Sequence, residues 1–233
     1  MINVRYSADR GLADLDWLHS QHSFSFADYH DPKQMGFGPL RVINEDQIQP
    51  NTGFGTHGHR DMEILSYILQ GEVEHKDDMG NGSIIRPGEI QRMSAGTGVR
   101  HSENNPSTAI ANHFFQIWIM PNQYGIQPSY EQNKIPKGSR EGKLSLIGSP
   151  QGRGHSVTIH QDVELYSSIL SPGDILTHKI EKGRCVWVQL ASGLIDINKI
   201  PLSVGDGAAV IEEPSINITA VARSEFLLFD LGQ

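Results

Sequence analysis

Two short motifs contain the residues of this sequence that are best suited to chemistry. His57 and His59 are separated by one residue, and so are His101 and Glu103. In a β-strand, residues i and i+2 point to the same face of the sheet. If the two segments are facing strands, three imidazoles and one carboxylate converge. The spacing therefore predicts a site for one divalent transition-metal ion per chain.

The chemistry of these side chains restricts which metal they bind. Three neutral imidazoles and a carboxylate suit a borderline divalent ion rather than Ca²⁺ or Mg²⁺. We expect Fe(II), with Zn, Cu, Ni, Mn or Co as alternatives that ligand type alone does not separate. A six-coordinate ion would keep two positions open, which is typical of catalytic rather than structural sites.

The elements that must position these residues are short β-strands. Glycine is frequent, with 24 residues in a chain of 233, and this indicates many tight turns. Asn81-Gly82 predicts a type I′ hairpin turn, and only the segment from Ala8 to Leu18 suggests a short helix. Three β-branched or aromatic runs end at turn residues and predict strands, namely 64–69, 114–119 and 186–190. The sequence therefore predicts an all-β fold.

Composition excludes several classes of partner. The formal net charge is −8 and there is no long run of Lys and Arg, so direct nucleic-acid binding is not expected. The longest strongly apolar run, 117–120, is far shorter than the ~20 residues of a membrane span. The N-terminus shows no signal-peptide pattern, so we expect a cytoplasmic protein. Cys185 lies in a strand-like run and is interpreted as a core side chain rather than a reactive thiol.

A change in amino-acid composition divides the chain into two parts. Between Asn122 and Ser156 the sequence is polar and rich in Gly, Pro and Ser, which is typical of a linker or long crossover. We predict an N-terminal metal-binding domain over 1–130, a linker or crossover over 131–155, and a C-terminal domain without metal over 156–233. The C-terminal part has no His-x-His pair, and its scattered histidines are interpreted as structural: His155, His160 and His178.

Several segments resemble known proteins. The stretch 53–63 (GFGTHGHRDME) resembles the first motif of the cupin superfamily, and Pro87-Gly88-Glu89 followed by His101 resembles a stretched second motif. Four further segments are similar to the pirin family: 24–29 (FSFADY), 40–44 (LRVIN), 94–103 (SAGTGVRHSE) and 116–119 (QIWI). The resemblance covers about residues 17 to 131, and it is closest to bacterial pirin-like quercetin 2,3-dioxygenases.

The resemblance implies a bicupin, that is, two β-sandwich or jelly-roll barrels joined by a linker, with metal only in the first. It also implies the ligands His57, His59, His101 and Glu103. Most cupins take their carboxylate from the first motif, which is Glu63 here. Strand parity does not decide between the two carboxylates, because Glu63 lies an even number of residues from His59. We expect Glu103 to bind the metal and Glu63 to lie nearby; if Glu63 binds instead, Glu103 becomes a free base beside the metal.

The implied function is a metal-dependent dioxygenase. It would open the ring of a flavonol such as quercetin by 2,3-dioxygenation and release carbon monoxide, so its partners would be a small aromatic substrate and O₂. Glu103 would be the catalytic carboxylate that accepts the proton of the substrate. The alternative is a non-catalytic or redox-sensing metal-binding protein that acts in regulation through a protein partner. We expect a monomer.

Two weaker interpretations concern the surroundings of the metal. A cupin isomerase acting on a sugar phosphate would need inward-facing cations, but Arg60 and Arg100 adjoin ligands and should point outward. Phe54 and Met93 are candidates for lining a pocket. An aromatic cluster is interpreted as core, with a pocket for a flat ligand as the alternative: Trp17, Phe24, Phe26 and Tyr29.

Overall fold

The computed structural model describes residues 1–232 and confirms the all-β prediction. Within these residues there are twenty strands, no α-helix, and one turn of 3₁₀ helix at Ser7–Asp9. No helix in this part of the chain is long and apolar enough to cross a membrane.

The strands are short except for two long ones, β5 and β8. In chain order they are β1 Ile2–Arg5, β2 Gly11–Asp14, β3 Leu18–His22, β4 Leu40–Ile48, β5 Gly53–Gln70, β6 Val73–Asp77, β7 Gly82–Ile85, β8 Glu89–Asn104, β9 Asn112–Ile119, β10 Ser129–Lys134, β11 Ser145–Ser149, β12 Val157–Thr158, β13 Val163–Leu170, β14 Ile175–Lys179, β15 Arg184–Ser192, β16 Leu194–Ile197, β17 Ile200–Ser203, β18 Gly207–Val210, β19 Ser215–Ala220 and β20 Ser224–Gly232.

These strands form three sheets. A nine-stranded sheet has the order β2-β3-β4-β9-β5-β8-β6-β7, with β10 also paired to β8. A seven-stranded sheet has the order β1-β18-β15-β20-β13-β11-β12, and a four-stranded sheet has the order β14-β19-β16-β17. Strand β1 thus pairs within the sheet of the second half, while β10 joins the sheet of the first half. The division at 1–130, 131–155 and 156–233 stays a prediction.

The seven-stranded sheet is buried on both faces. In β15, Val186 and Val188 pack in the core shared with the four-stranded sheet, whereas Cys185 and Trp187 pack in the core shared with the nine-stranded sheet. A strand that is buried on both faces has a continuous apolar sequence, which is why 186–190 was recognisable as a strand. The burial of Cys185 confirms its interpretation as a core side chain.

Two local predictions need correction. The helix expected from Ala8 to Leu18 is wrong, since this segment contains the end of the 3₁₀ turn, strand β2 and the start of β3. The hairpin between β6 and β7 is confirmed, but Gly80 rather than Asn81 has the positive φ, at 96°. The carboxylate of Asp77 accepts hydrogen bonds from the backbone N–H groups of Met79 and Asn81, so the turn is organised by a side chain.

The pairing of β5 with β8 shifts register on both sides of the segment that contains His57 and His59. One shift lies between Phe54 and His57, and the other lies between His59 and Asp61, where Asp61 has a φ of 65°. We call the face of the nine-stranded sheet that packs on the seven-stranded sheet its outer face, and the opposite face its inner face. Phe54 and Ser66, which are even-numbered, have their side chains on the inner face. His57 and His59 are odd-numbered, yet their side chains lie on the same face. The shifts therefore place both imidazoles on the inner face.

This geometry predicts that position 61 tolerates few side chains. Asp61→Val should lower the free energy of unfolding by about 1–3 kcal/mol, because a β-branched residue is strained at positive φ. Asp61→Asn is the matched control, since Asn tolerates this conformation and keeps an oxygen to accept the Gly125 N–H, which lies 2.7 Å from Asp61 Oδ1. Urea unfolding measures both variants, and equal losses would contradict the role of the backbone conformation.

Candidate metal centre

Three of the four predicted ligands come together on the inner face of the nine-stranded sheet. One ring nitrogen from each of His57, His59 and His101 lies within 4.8 Å of the other two, and within residues 1–232 this is the one such group of three His, Cys, Asp or Glu side chains. Strands β5 and β8 supply them directly, because His57 and His101 are register partners. The two facing strands expected from the sequence are thus present.

Hydrogen bonds orient two of the imidazoles. His57 Nδ1 lies 2.8 Å from the carbonyl oxygen of Gly55, to which it can only donate, so Nε2 keeps its lone pair. His101 Nδ1 lies 3.4 Å from His75 Nδ1, and His75 Nε2 lies 3.2 Å from Asp77 Oδ2. Donation along this chain from His101 to His75 to Asp77 leaves His101 Nε2 as an acceptor. Such outer hydrogen bonds are typical of metal-binding histidines.

Burial keeps the imidazoles in the form that binds a metal. Desolvation, with the neighbouring His101 and His57, lowers the pKa of His59 to about 4. Desolvation, with the adjacent His57 and His75, lowers the pKa of His101 to about 3. Both are therefore neutral near pH 7. His101 Nε2 is buried and has no hydrogen-bond partner, so this donor set fits a divalent metal ion that would use the orphaned lone pair.

Glu103 lies beside this group but outside it. Its carboxylate is buried, with Oε1 accepting a hydrogen bond from Ser66 Oγ at 3.1 Å and Oε2 accepting one from Gln116 Nε2 at 2.7 Å. An ionised carboxylate has about four acceptor sites, so each oxygen retains one. The oxygens are not within the 4.8 Å group formed by the three histidines.

Glu63 points away from the metal centre. Its carboxylate is fully buried, and Oε2 accepts a hydrogen bond from the backbone N–H of His160 at 3.1 Å and lies 3.2 Å from His160 Nδ1. The register shift before Asp61 explains this, because beyond it the odd-numbered residues of β5 face the second half of the chain. The structure thus places Glu63 at the contact between the two halves.

A cavity of about 520 Å³ opens beside the histidines. His57 and His59 line it together with Phe54, as the sequence suggested for Phe54, whereas Met93 is a core residue and not part of this lining. The interpretation of the aromatic cluster as core is only partly right. Phe24 packs in the core between the sheets, but Trp17 and Phe26 from that cluster line the cavity, together with Trp118.

Two histidines of the second half have side-chain partners of their own. His155 lies 3.0 Å from Ser145 Oγ, and His178 lies 2.7 Å from Asp230 Oδ2. Arg60 and Arg100 are exposed, as expected for neighbours of inward-facing residues. Residue spacing did not single out His75 and Asp77; their alternation on β6 is a signal, but only the pairing of β6 with β8 places them behind His101.

An all-β fold of two halves, with a histidine trio at a cavity in the first, defines a metal-binding protein of the cupin type. Residues 4–119 match the Pirin family, and residues 146–231 match the family described as Quercetinase C-terminal cupin domain. The chain is 50% identical over 231 residues to a quercetin 2,3-dioxygenase of Escherichia coli (strain K12), covering 99% of each chain. It therefore belongs to the pirin family.

Two further relatives agree with this assignment. A pirin-like protein of Caulobacter vibrioides is 40% identical over 223 residues, covering 94% of this chain and 95% of that protein. The crystal structure of bacterial pirin YhhW from Escherichia coli in complex with nickel(II) superposes with a TM-score of 0.95 at 48% identity, covering 100% of this chain and 99% of that one. The site in this chain is accordingly one for a divalent metal.

Removing the hydrogen-bond partner of His101 should weaken the site. In wild type, the rings of His75 and Tyr130 pack with their centroids 4.8 Å apart. In His75→Phe, the phenyl ring preserves this aromatic packing, but His101 Nδ1 loses its hydrogen-bond acceptor. We expect the affinity for a divalent ion to fall by about 10–100-fold, measured by competition with a chromophoric chelator. His178→Ala, in the second half, is the control and should leave metal content unchanged; equal affinities for His75→Phe and the wild type would refute this role of His75.

The stability of the metal-free protein should fall as the pH is lowered from about 6.5 to about 4. Burial lowers the pKa values of His22, His59 and His101 to about 4, 4 and 3, so the unfolded chain binds more protons than the folded one across this range. Burial raises the pKa of Asp46 to about 7, which has the opposite sign but involves one proton against three. Urea unfolding in chelator measures the effect; a midpoint that rises on acidification would contradict it.

Proposed function

We propose that this protein is a metal-dependent dioxygenase that opens the ring of a flavonol such as quercetin. The observation that carries the proposal is the position of His57 and His59 in the wall of a cavity that is also lined by the aromatic side chains of Trp17, Phe26, Phe54 and Trp118. A concave pocket that combines aromatic side chains with a few polar groups suits a small planar aromatic molecule. A metal site accessible from such a pocket favours catalysis over a purely regulatory role, which would not need the opening. The 50% identity to a quercetin 2,3-dioxygenase of Escherichia coli supports the same reaction class.

The residues around the site have separate tasks in this reaction. We infer that His57, His59, His101 and Glu103 hold one divalent ion, with Fe(II) as the expected metal. The metal, when bound, would supply Lewis-acid charge that favours the deprotonated 3-hydroxyl of the substrate and open positions for it and for O₂. Glu103 would accept the proton of that hydroxyl; in support, its buried carboxylate is hydrogen-bonded to Gln116, which lines the cavity.

The walls of the cavity orient the substrate and limit water. Trp118 packs edge-on against His59, with ring centroids 4.9 Å apart, and Phe26 packs against Trp118 at 5.3 Å. Phe54 lies 6.4 Å from His57 on the other side. A flat ring held between these side chains presents its oxygen substituent toward the histidines. Excluding water there strengthens the electrostatic stabilisation of the bound anion.

The first experiment is anaerobic purification with metal analysis, followed by quercetin turnover after reconstitution with each divalent ion in turn. One metal per chain, with a rate that follows metal content and equimolar release of carbon monoxide, would support the proposal. Stoichiometric metal without turnover by any ion would refute it and favour the alternative, a metal-binding protein that acts through a protein partner.

Two substitutions test the proposed ligand set. His57→Ala and Glu103→Ala should each abolish metal-dependent turnover of quercetin, measured by loss of flavonol absorbance, and retained activity would refute the assignment at that position. Glu103→Gln separates the two tasks of Glu103. Loss of both metal and turnover indicates a ligand, whereas loss of turnover with metal retained indicates a base. His178→Ala is the control, because it lies in the second half and should keep both.

A further inference from the structure

The floor of the same cavity carries a second group of polar side chains that the proposed reaction does not use. Ser20 and His22 on β3, and Asn44 and Asp46 on β4, all line the cavity, and each is no more than 3% exposed. Strands β3 and β4 are register neighbours, with His22 opposite Asn44 and Ser20 opposite Asp46. Four buried polar side chains in one patch require hydrogen-bond partners.

Three of the four residues are joined by hydrogen bonds with a definite direction. Ser20 Oγ donates to Asp46 Oδ1, so the hydroxyl hydrogen of Ser20 is already committed. His22 Nε2 lies 2.9 Å from Ser20 Oγ and must therefore be the donor in that contact. Because burial and the charge of Arg10 lower the pKa of His22 to about 4, this imidazole is neutral and its Nδ1 is a hydrogen-bond acceptor.

Two acceptors in this patch have no donor. His22 Nδ1 and Asn44 Oδ1 are both buried and without a hydrogen-bond partner. A buried acceptor without a donor destabilises a structure, so such atoms commonly mark a position where a ligand binds. Since both orphaned atoms accept hydrogen bonds, the ligand that fits them carries hydrogen-bond donors, such as the O–H groups of a phenol.

Aromatic rings connect this patch to the metal centre. The ring of His22 lies 5.2 Å from Phe26, that of Phe26 lies 5.3 Å from Trp118, and Trp118 packs against His59. Along one wall of the cavity, Phe26 and Trp118 thus lie between the histidine trio and the polar side chains His22 and Asn44, and Gln116, the register partner of Asn44, also lines the cavity. This arrangement matches an aromatic molecule with one hydroxyl at the metal and at least one more hydroxyl.

We propose that His22, Asn44 and Asp46, with Ser20 as the bridge between His22 and Asp46, form a subsite that binds a phenolic hydroxyl of the substrate other than the hydroxyl at the metal. The ligand class is a polyhydroxylated aromatic compound rather than a bare aromatic ring. This inference rests on the proposed function for the identity of the substrate, but it makes a statement about binding that is independent of turnover.

The test compares two probes in anaerobic equilibrium binding to the metal-loaded full-length protein. Quercetin carries several hydroxyls, whereas 3-hydroxyflavone keeps the metal-binding hydroxyl and lacks the others. Quenching of the fluorescence of Trp17 and Trp118, which line the cavity, reports the Kd. The wild type should bind quercetin at least about tenfold more tightly, because a site with unpaired acceptors discriminates strongly against a ligand that lacks the donor.

Two variants assign that preference to the subsite. Asn44→Leu and His22→Phe keep side-chain size and remove one orphaned acceptor each, and both should reduce the ratio of the two Kd values to within about threefold. Phe54→Leu, which changes an aromatic side chain that lines the cavity beside His57, is the control and should weaken both probes together and leave the ratio unchanged. A ratio that persists in both acceptor variants would overturn the proposal.

The wild-type ratio is decisive even if a variant fails to fold, because a value near one overturns the subsite. Failure of the subsite can be distinguished from failure of the dioxygenase proposal. Turnover of both flavonols with equal affinities overturns the subsite alone. A tenfold preference that depends on His22 and Asn44, found in a protein that turns over neither flavonol, supports the subsite and overturns the dioxygenase.

Discussion

The metal centre depends on the register of one strand pair. Along most of β5 the even-numbered residues face the inner side of the nine-stranded sheet, and an uninterrupted ladder would turn His57 and His59 toward the other face. The two register shifts that flank them correct this over a short segment, which brings both imidazoles opposite His101. The shift between His59 and Asp61 also turns Glu63 toward His160 and away from the histidine trio.

Around this point, burial and hydrogen bonding act together. Desolvation holds His59 and His101 in the neutral form, while the chain from His101 through His75 to Asp77 fixes which nitrogen carries the lone pair. The orphaned Nε2 of His101 would be unfavourable without a partner. The arrangement is therefore one that a divalent ion would complete, because the ion replaces the missing hydrogen-bond donor.

The second half supports the site without containing a comparable histidine group among the residues described. Its seven-stranded sheet supplies the surface on which the outer face of the nine-stranded sheet packs, with Trp187 against Phe24 at 4.9 Å. Tyr67, on the outer face of β5, reaches Ser167 at 2.7 Å and also contacts Glu225. These contacts stabilise the strand whose opposite side carries the metal centre, so the site and the interface between the halves share one element.

Much of this protein is determined by sequence patterns of short range. The alternation of His57 with His59 and of His101 with Glu103, the apolar runs of the buried strands, and the family motifs predicted the fold class and the histidine trio, because strand periodicity is a local property. The alternation of residues along a strand did not predict where Glu63 points, since the register shift before Asp61 is set by pairing with β8. The roles of His75, Asp77 and the patch at His22 and Asn44 were also not predicted from the sequence. They become neighbours of the metal centre or the cavity only through pairing between strands, and residue spacing along the chain does not encode that pairing.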